Sequence, residues 1–327
     1  MPVSRRFLLL GAALAPAASL LPRQVFAAYP DRPIHLVVPF APGGNADVVG
    51  RITAEQISRA LGQPVIVDNR GGAGGSVGAE MVARATPDGY TLFVGSNGPL
   101  TVNPFVQAKL GYDPLKDLAP IALTSYVPHV IILNDKVEAK TLQELIALSQ
   151  KAPVNIATSG VGSASHMTLE RFKAATGANL THIPYKSGGA LMPDLMGGSI
   201  QAAMTEFSTA LPLHKGGKAR IVAIASAQRS QLAPDIATFI EGGVKGFTAS
   251  SYIGILAPAG TPAPIVAQVQ KAIVAGLSGA GAADKLRGMG SEIATPEQMT
   301  PEGFGAFIRA DYEHMREAAK LAGIVPQ

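Results

Sequence analysis

The chain has 327 residues, of which 47% are hydrophobic and 15% charged, with no cysteine and no tryptophan. The lack of cysteine excludes disulfides, thiol catalysis, thiolate metal sites and lipid attachment through a lipobox cysteine. Loss of residues 1–27, which hold Arg5, Arg6 and Arg23 but no acid, lowers the formal charge from +4 to +1, and a near-neutral surface without basic clusters argues against nucleic acid as a partner.

The first segment reads as an export leader. Ser4-Arg5-Arg6-Phe7-Leu8-Leu9 is a basic start with a twin-arginine pattern, and Phe7 to Leu21 is an apolar run broken by Pro16. That run is shorter than the ~20 residues a bilayer span needs. Val25-Phe26-Ala27 supplies small residues for cleavage after Ala27. The expected destination is the periplasm.

Next comes Leu36 to Asp47, in which a short apolar run, Leu36-Val37-Val38, meets Pro39, Pro42 and Gly43-Gly44. Asn45 and Asp47 follow as candidate caps of a helix with apolar positions at Val48, Val49, Ile52, Ile57 and Leu61. A strand that feeds a helix through glycines aims free backbone N–H groups above the sheet, an arrangement that favours anions. No lysine or arginine lies in the loop, so an anion there is held by main chain and water.

Further apolar runs at Val65–Val67, Thr91–Val94, Val130–Leu133, Asn155–Ala157, Ala202–Met204, Ile221–Ala225 and Tyr252–Leu256 join Ile34–Val38 as predicted strands. Helical patterns lie between many of them, which predicts parallel α/β sheets. Thr141 with Glu144 forms a capping box ahead of Leu145–Leu148. Ser163 or Ser165 caps a helix that runs through Leu169 and Phe172 to Gly177. Gly254 to Gly260, followed by Pro264 and a helix, echoes the opening Val37 to Gly43 unit. The chain is therefore expected to return to its first domain, giving lobes of 28–127 plus 250–327 and of 128–249. The cleft between two such lobes is the default ligand site.

Five ordered blocks carry a resemblance over essentially the whole mature chain: PFAPGG at 39–44, GQPVIVDNRGGAGG at 62–75, DGYTLFVG at 88–95, YDPLKDLAPI at 112–121 and HIPYKSGGALMPDLMGGSIQ at 182–201. Together they resemble the Bug family, the substrate-binding proteins of tripartite tricarboxylate transporters. The resemblance implies an α/β, two-lobed periplasmic-binding-protein fold of type II, each lobe a mainly parallel sheet flanked by helices. It also implies closure on a small carboxylate, delivery to integral membrane transporter subunits, no catalysis and no cofactor. The protein is expected to act as a monomer. Where the family often has Pro-Thr before the first-loop aspartate, this chain has Asn45-Ala46. Glu206 stands where an aspartate is common, and Ala237 where a proline is usual.

The candidate ligand contacts follow. Loop 40–46 offers Phe40, Ala41, Gly43, Gly44 and Ala46, with charge-assisted hydrogen bonds of ~1.5–3 kcal/mol each. The resemblance sets the second glycine cluster, with Gly74, beside that loop. Ser96 follows the Thr91–Val94 strand at its carboxyl end, where ligands bind in α/β proteins. Ser159, Ser163, Ser165 and His166 bring hydroxyls and another helix start, Tyr185 stands at the cleft mouth, and Glu206 ends an apolar strand.

Two competing readings remain at this level. An exported serine hydrolase would use Ser76, which sits in a G-x-S-x-G pattern, or Ser163. Ser76 follows Val67 by nine residues rather than ending a strand, unlike a nucleophile elbow. Alternatively, the binding protein serves a sensor kinase ectodomain. The six histidines have no metal-ligand spacing, and Gly216-Gly217-Lys218-Ala219 fails the phosphate-loop pattern.

Overall fold

Strand β1 (Ile34–Val38) is followed by α1 (Asn45–Leu61), β2 (Val65–Asn69), α2 (Ser76–Ala83) and β3 (Thr91–Gly95). Then come α3 (Asn103–Val106), β4 (Leu118–Asn134), α4 (Leu142–Lys151), β5 (Val154–Thr158), α5 (Ala164–Thr176), β6 (Leu180–Pro184), α6 (Met192–Gly197) and β7 (Ala202–Glu206). The chain closes with α7 (Phe207–Lys215), β8 (Ala219–Ile224), β9 (Ser250–Pro258), α8 (Ala263–Ser278), α9 (Ala282–Gly288), β10 (Glu292–Ile293) and α10 (Pro301–Leu321). This computed structural model describes residues 29–279, 281–321 and 326, so the leader expected over 1–27 lies outside the described residues. Among the described residues no helix is long and apolar enough to cross a membrane.

The strands lie in the order β2-β1-β3-β9-β4-β7-β5-β6, with β8 and β10 also pairing with β4. The outer pairs are parallel, β1 with β2 and β3, and β5 with β6 and β7. Every pair made by β4 or β9 is antiparallel, so the parallel pairs on either side are joined by an antiparallel crossing. The reason is connectivity. β4 runs on from β9 and β10 to β7 and β8, and β9 retraces its path from Ser250 opposite Pro128 to Pro258 opposite Leu118. A chain that returns along the route it left by must lie antiparallel to it.

Only the last residues of β4 were legible as an apolar run, since Pro120 and Pro128 interrupt the part before. Each proline removes a ladder donor, and the register with β9 slips between Pro120 and Ala122 and again between Leu123 and Ser125.

Buried side chains gather into separate clusters. One holds Leu36, Val38, Phe93, Leu123, Tyr252, Leu256 and Phe304, drawn from the first and last parts of the chain. Two others draw only on residues between Val127 and Phe247. Each fully buried aliphatic or aromatic side chain stabilises its cluster by about 1.5–3 kcal/mol.

Helix α1 buries Ala46, Val49, Gly50, Thr53, Ala54 and Ile57, positions three and four apart that form one face. Gly50 lets that face sit close on the sheet, because a Cβ there would lie 3.1 Å from Val38 and 3.2 Å from Val94. The helix ends at Gly62, whose N–H donates to Ser58 from a φ of 71°.

Candidate ligand-binding site

The helix starts around the cleft are built in two ways. At α1 the N-cap is Gly44, and no side chain caps it. Neither expected cap serves: Asn45 is the first helical residue, and Asp47 reaches backward to accept the Gly43 N–H at 3.0 Å. Asp47 also accepts Arg51 Nε at 3.1 Å and Asn69 Nδ2 at 3.0 Å, while Asn69 donates to the Phe40 carbonyl as well. Burial raises the Asp47 pKa, but the bonds from Arg51, Gly43 and Asn69 outweigh it and hold the carboxyl below its ordinary range. The loop is thus shaped by an acid whose charge is already neutralised, leaving the first turn of α1 uncapped.

At α5 the cap is Ser163, which accepts the His166 N–H at 3.2 Å. Ser165 lies inside the helix, accepting the Ser159 N–H at 3.1 Å and meeting Ser163 Oγ at 3.1 Å. That leaves the Ser159 hydroxyl buried without a partner.

Phe40, Gly44, Asn45, Ala46, Ser96, Ser159, Ser163, Ala164, Ser187, Gly188, Glu206, Ser251 and Ile253 enclose a small cavity. As it stands it has room for about one or two waters. No lysine or arginine lines it. A larger cavity of ≈ 630 Å³ lies on β4 and β9 at Tyr126, Pro128 and Tyr252, but neither uncapped loop N–H groups nor the serine cluster reach it.

The rim is held shut by backbone. The Ala41 N–H donates to the Lys186 carbonyl at 3.2 Å. A Cβ on Gly189 would lie 2.4 Å from the Gly43 carbonyl carbon, and one on Gly74 would lie 2.4 Å from the Val161 carbonyl oxygen. Asn103 fastens the Gly74 turn, donating to Ala73 O, Gly74 O and Ser76 Oγ at 3.2, 3.1 and 2.7 Å.

Residues 49–306 match the sequence profile of the tripartite tricarboxylate transporter family receptors. The chain is 36% identical to protein BugT of Bordetella pertussis over 91% of this chain and 89% of that protein. It belongs to the Bug family of receptors. The structure of the periplasmic binding protein BugD superposes with a TM-score of 0.88 at 34% identity, covering 91% of this chain and all of BugD. Rpa4515 of R. palustris, solved with adipate, superposes with a TM-score of 0.87 at 31% identity, over 91% of this chain and 100% of that one. Family and neighbours are binding proteins, and the expected two-lobed periplasmic-binding-protein fold is the fold they share.

Within this receptor, seven of the residues singled out from sequence line the cavity: Phe40, Gly44, Ala46, Ser96, Ser159, Ser163 and Glu206. Ala41, Gly43 and Gly74 stand at the rim instead, where they touch the opposite loops. Ser165 lies behind Ser159, and His166 turns away to accept the Gly162 N–H at 3.2 Å and stack on His182 with ring centroids 4.2 Å apart. The Tyr185 hydroxyl donates to Asp194 at 2.5 Å rather than facing the cavity.

Asn45, Ala164, Ser187, Gly188, Ser251 and Ile253 line the cavity without having been singled out. Ser187-Gly188 lay one residue past Tyr185-Lys186, and its small side chains were the signal that the backbone comes close there. The two candidate nucleophiles have other duties. Ser76 Oγ accepts Asn103 Nδ2, and Ser163 Oγ caps α5; neither is bonded to an imidazole.

Proposed function

We propose that this receptor binds a small di- or tricarboxylate or aromatic acid in the cavity between loops 40–46, 159–163 and 187–188, without catalysing any reaction on it. The observation that carries the reading is the convergence there of an uncapped helix start, the partnerless Ser159 hydroxyl and a ring of serines, with no cation. Such donors hold a carboxylate through several charge-assisted hydrogen bonds. Adipate in the Rpa4515 structure is an acid of this class.

The division into lobes 28–127 plus 250–327 and 128–249 has its support in the buried clusters, which part between Leu123 and Val127 and between Phe247 and Tyr252. A ligand reaches this enclosed cavity only when the rim contacts break, so entry is coupled to hinge motion at β4 and β9. The ligand then shifts the population toward closure by its differential affinity. We assign residues 1–27 as a cleaved export leader and the closed form as the one presented, as a monomer, to membrane transporter subunits.

A thermal-shift and calorimetry panel of adipate, succinate, malate, citrate and benzoate tests this. A ligand at 100 times its dissociation constant adds about 2.7 kcal/mol of stability. At least one acid is expected to raise the melting temperature without being consumed. Turnover of an activated ester that disappears in Ser76→Ala would replace this reading with a hydrolase.

A further inference from the structure

From the cavity wall a polar chain runs inward that the binding of a carboxylate does not by itself require. Glu206 ends β7 with Oε2 accepting the Thr205 hydroxyl at 3.1 Å and Oε1 lying 3.3 Å from Ser251 Oγ. Ser251 Oγ is 2.8 Å from Nε2 of the buried His129, and His129 Nδ1 is 2.7 Å from Thr168 Oγ1. Thr168 Oγ1 in turn lies 3.0 Å from the carbonyl of Ala164, which lines the cavity. We propose that Glu206 stands protonated in this receptor at neutral pH, kept neutral by a one-way chain of hydrogen bonds through Ser251, His129 and Thr168, and that the site therefore selects carboxylates that carry no ammonium group.

Counting protons tells the two states of the chain apart by the tautomer of His129. Each hydroxyl has one proton to give, and a neutral imidazole has one. With Glu206 protonated, its Oε1–H donates to Ser251, Ser251 donates to His129 Nε2, His129 Nδ1–H donates to Thr168, and Thr168 donates to the Ala164 carbonyl. Every contact is satisfied. With Glu206 ionised, Ser251 must donate to the carboxylate, so His129 must carry its proton on Nε2 and accept at Nδ1. Thr168 then spends its proton on His129, and the Ala164 carbonyl keeps only its helical N–H donor from α5. An ionised Glu206 leaves a half-buried charge in a wall lined by no cation, facing the space an anionic ligand would occupy.

The ionisable groups on the surrounding elements are committed elsewhere. Asp47 on α1 is tied to Arg51 and Asn69, His166 on α5 to Gly162 and His182, and Arg171 on α5 donates to the Thr248 carbonyl. Arg171 acts instead on His129, joining burial to keep its imidazole uncharged, with a pKa lowered to about 3. Burial also raises the Glu206 carboxyl above its ordinary range, opposed by its own backbone N–H and then by the Thr205 and Ser251 hydroxyls.

The consequence for recognition rests on the carboxylate reading above. A neutral acid in the wall removes the repulsion an anionic ligand would meet, and it offers a ligand ammonium no ion pair. His129, Ser251 and Thr168 act through Glu206 as positioning residues.

Two spectra of the unliganded protein at neutral pH test the protonation directly. Infrared difference between wild type and Glu206→Gln is expected to contain the C=O band of a carboxylic acid, and the ¹⁵N spectrum to place the His129 proton on Nδ1. A carboxylate band in place of the acid, or a proton on Nε2, overturns the proposal; if Glu206→Gln does not fold, the wild-type ¹⁵N spectrum decides alone. Succinate and aspartate, which differ by one ammonium, then test the selection. Succinate is expected to bind the wild type at least tenfold more tightly than aspartate. Tighter binding of aspartate, lost in Glu206→Gln, refutes it. Should neither acid nor any member of the panel bind, the carboxylate reading fails, and the spectra still settle the state of Glu206.

Discussion

The Ser208 hydroxyl donates to Asn45 Oδ1 at 2.9 Å across 163 positions of sequence. It joins the first turn of α7 to the first turn of α1, two elements whose buried neighbours belong to different clusters. Both residues are buried. Such a bond exists only when the two sides of the cleft are together, so its energy bears on closure rather than on folding of either side.

Ser208→Ala should therefore weaken ligand binding while leaving the unliganded melting temperature close to wild type. Loss of a buried bond of about 1 kcal/mol corresponds to roughly fivefold in affinity. Calorimetry with the best acid of the panel, beside a melt of the unliganded variant, measures both. A large fall in unliganded stability with unchanged affinity would mean that the bond belongs to the fold.

Gly189→Ala tests the rim more severely. The new methyl would stand 2.4 Å from the Gly43 carbonyl carbon and 2.8 Å from the Gly44 nitrogen, backbone atoms that cannot swing aside. The expected outcome is a loss of affinity of a hundredfold or more with a well-folded unliganded protein. Small-angle scattering should find the variant unable to compact on addition of ligand.

Asp47 is expected to act on binding without touching the ligand. Asp47→Ala frees the Gly43 N–H, Arg51 and Asn69 at once. Affinity should fall about tenfold and stability by about 1–3 kcal/mol, since a buried donor loses its acceptor. Because the folded pKa lies below the ordinary value, this contribution is present above the unfolded pKa and is lost as pH falls through the folded one. Denaturation of wild type and variant should accordingly converge toward acid pH.

His182 carries a pH dependence of its own. Burial, then the neighbouring His166, lowers its pKa to about 4, with Thr158 Oγ1 at 2.7 Å from Nε2. Between pH 4 and the unperturbed value near 6.5 the unfolded chain binds more protons at this site than the folded one. Its contribution to stability is thus fully present above that window and declines as pH falls through it, by at most about 1.4 kcal/mol per pH unit. His182→Gln, which removes the titrating group and keeps an amide for Thr158, should lose less stability than wild type from pH 6.5 to 4. Equal slopes in urea denaturation would show that His182 is solvated well enough to titrate normally.

Local units were legible in the residues themselves. The strand, glycine loop and helix at 34–61, the Thr141 cap of α4, and the helix from Ser163 to Gly177 depend on contacts within a few positions, so periodicity and capping chemistry suffice to find them. The ordered family blocks carried the overall architecture for the same reason that a profile matches: they lie in one linear order. Asn45 and Asp47 look like capping residues of α1, but Asp47 bonds locally to Gly43 and Arg51, and the approach of Asn69 and Ser208 gives the pair further partners.

By itself, then, the sequence determined the α/β elements, the glycine loops that face the cleft and the absence of any thiol chemistry, because these follow from composition and near-neighbour contacts. Tertiary structure alone decided that β4 and β9 lie antiparallel through the crossing, and that Ser187, Gly188 and Ser251 complete the cavity. It alone set His129 and Ser251, 122 positions apart, at hydrogen-bonding distance behind Glu206. Bonds of that span leave no local pattern, since the chain between the partners is free to vary as long as the strands meet in register.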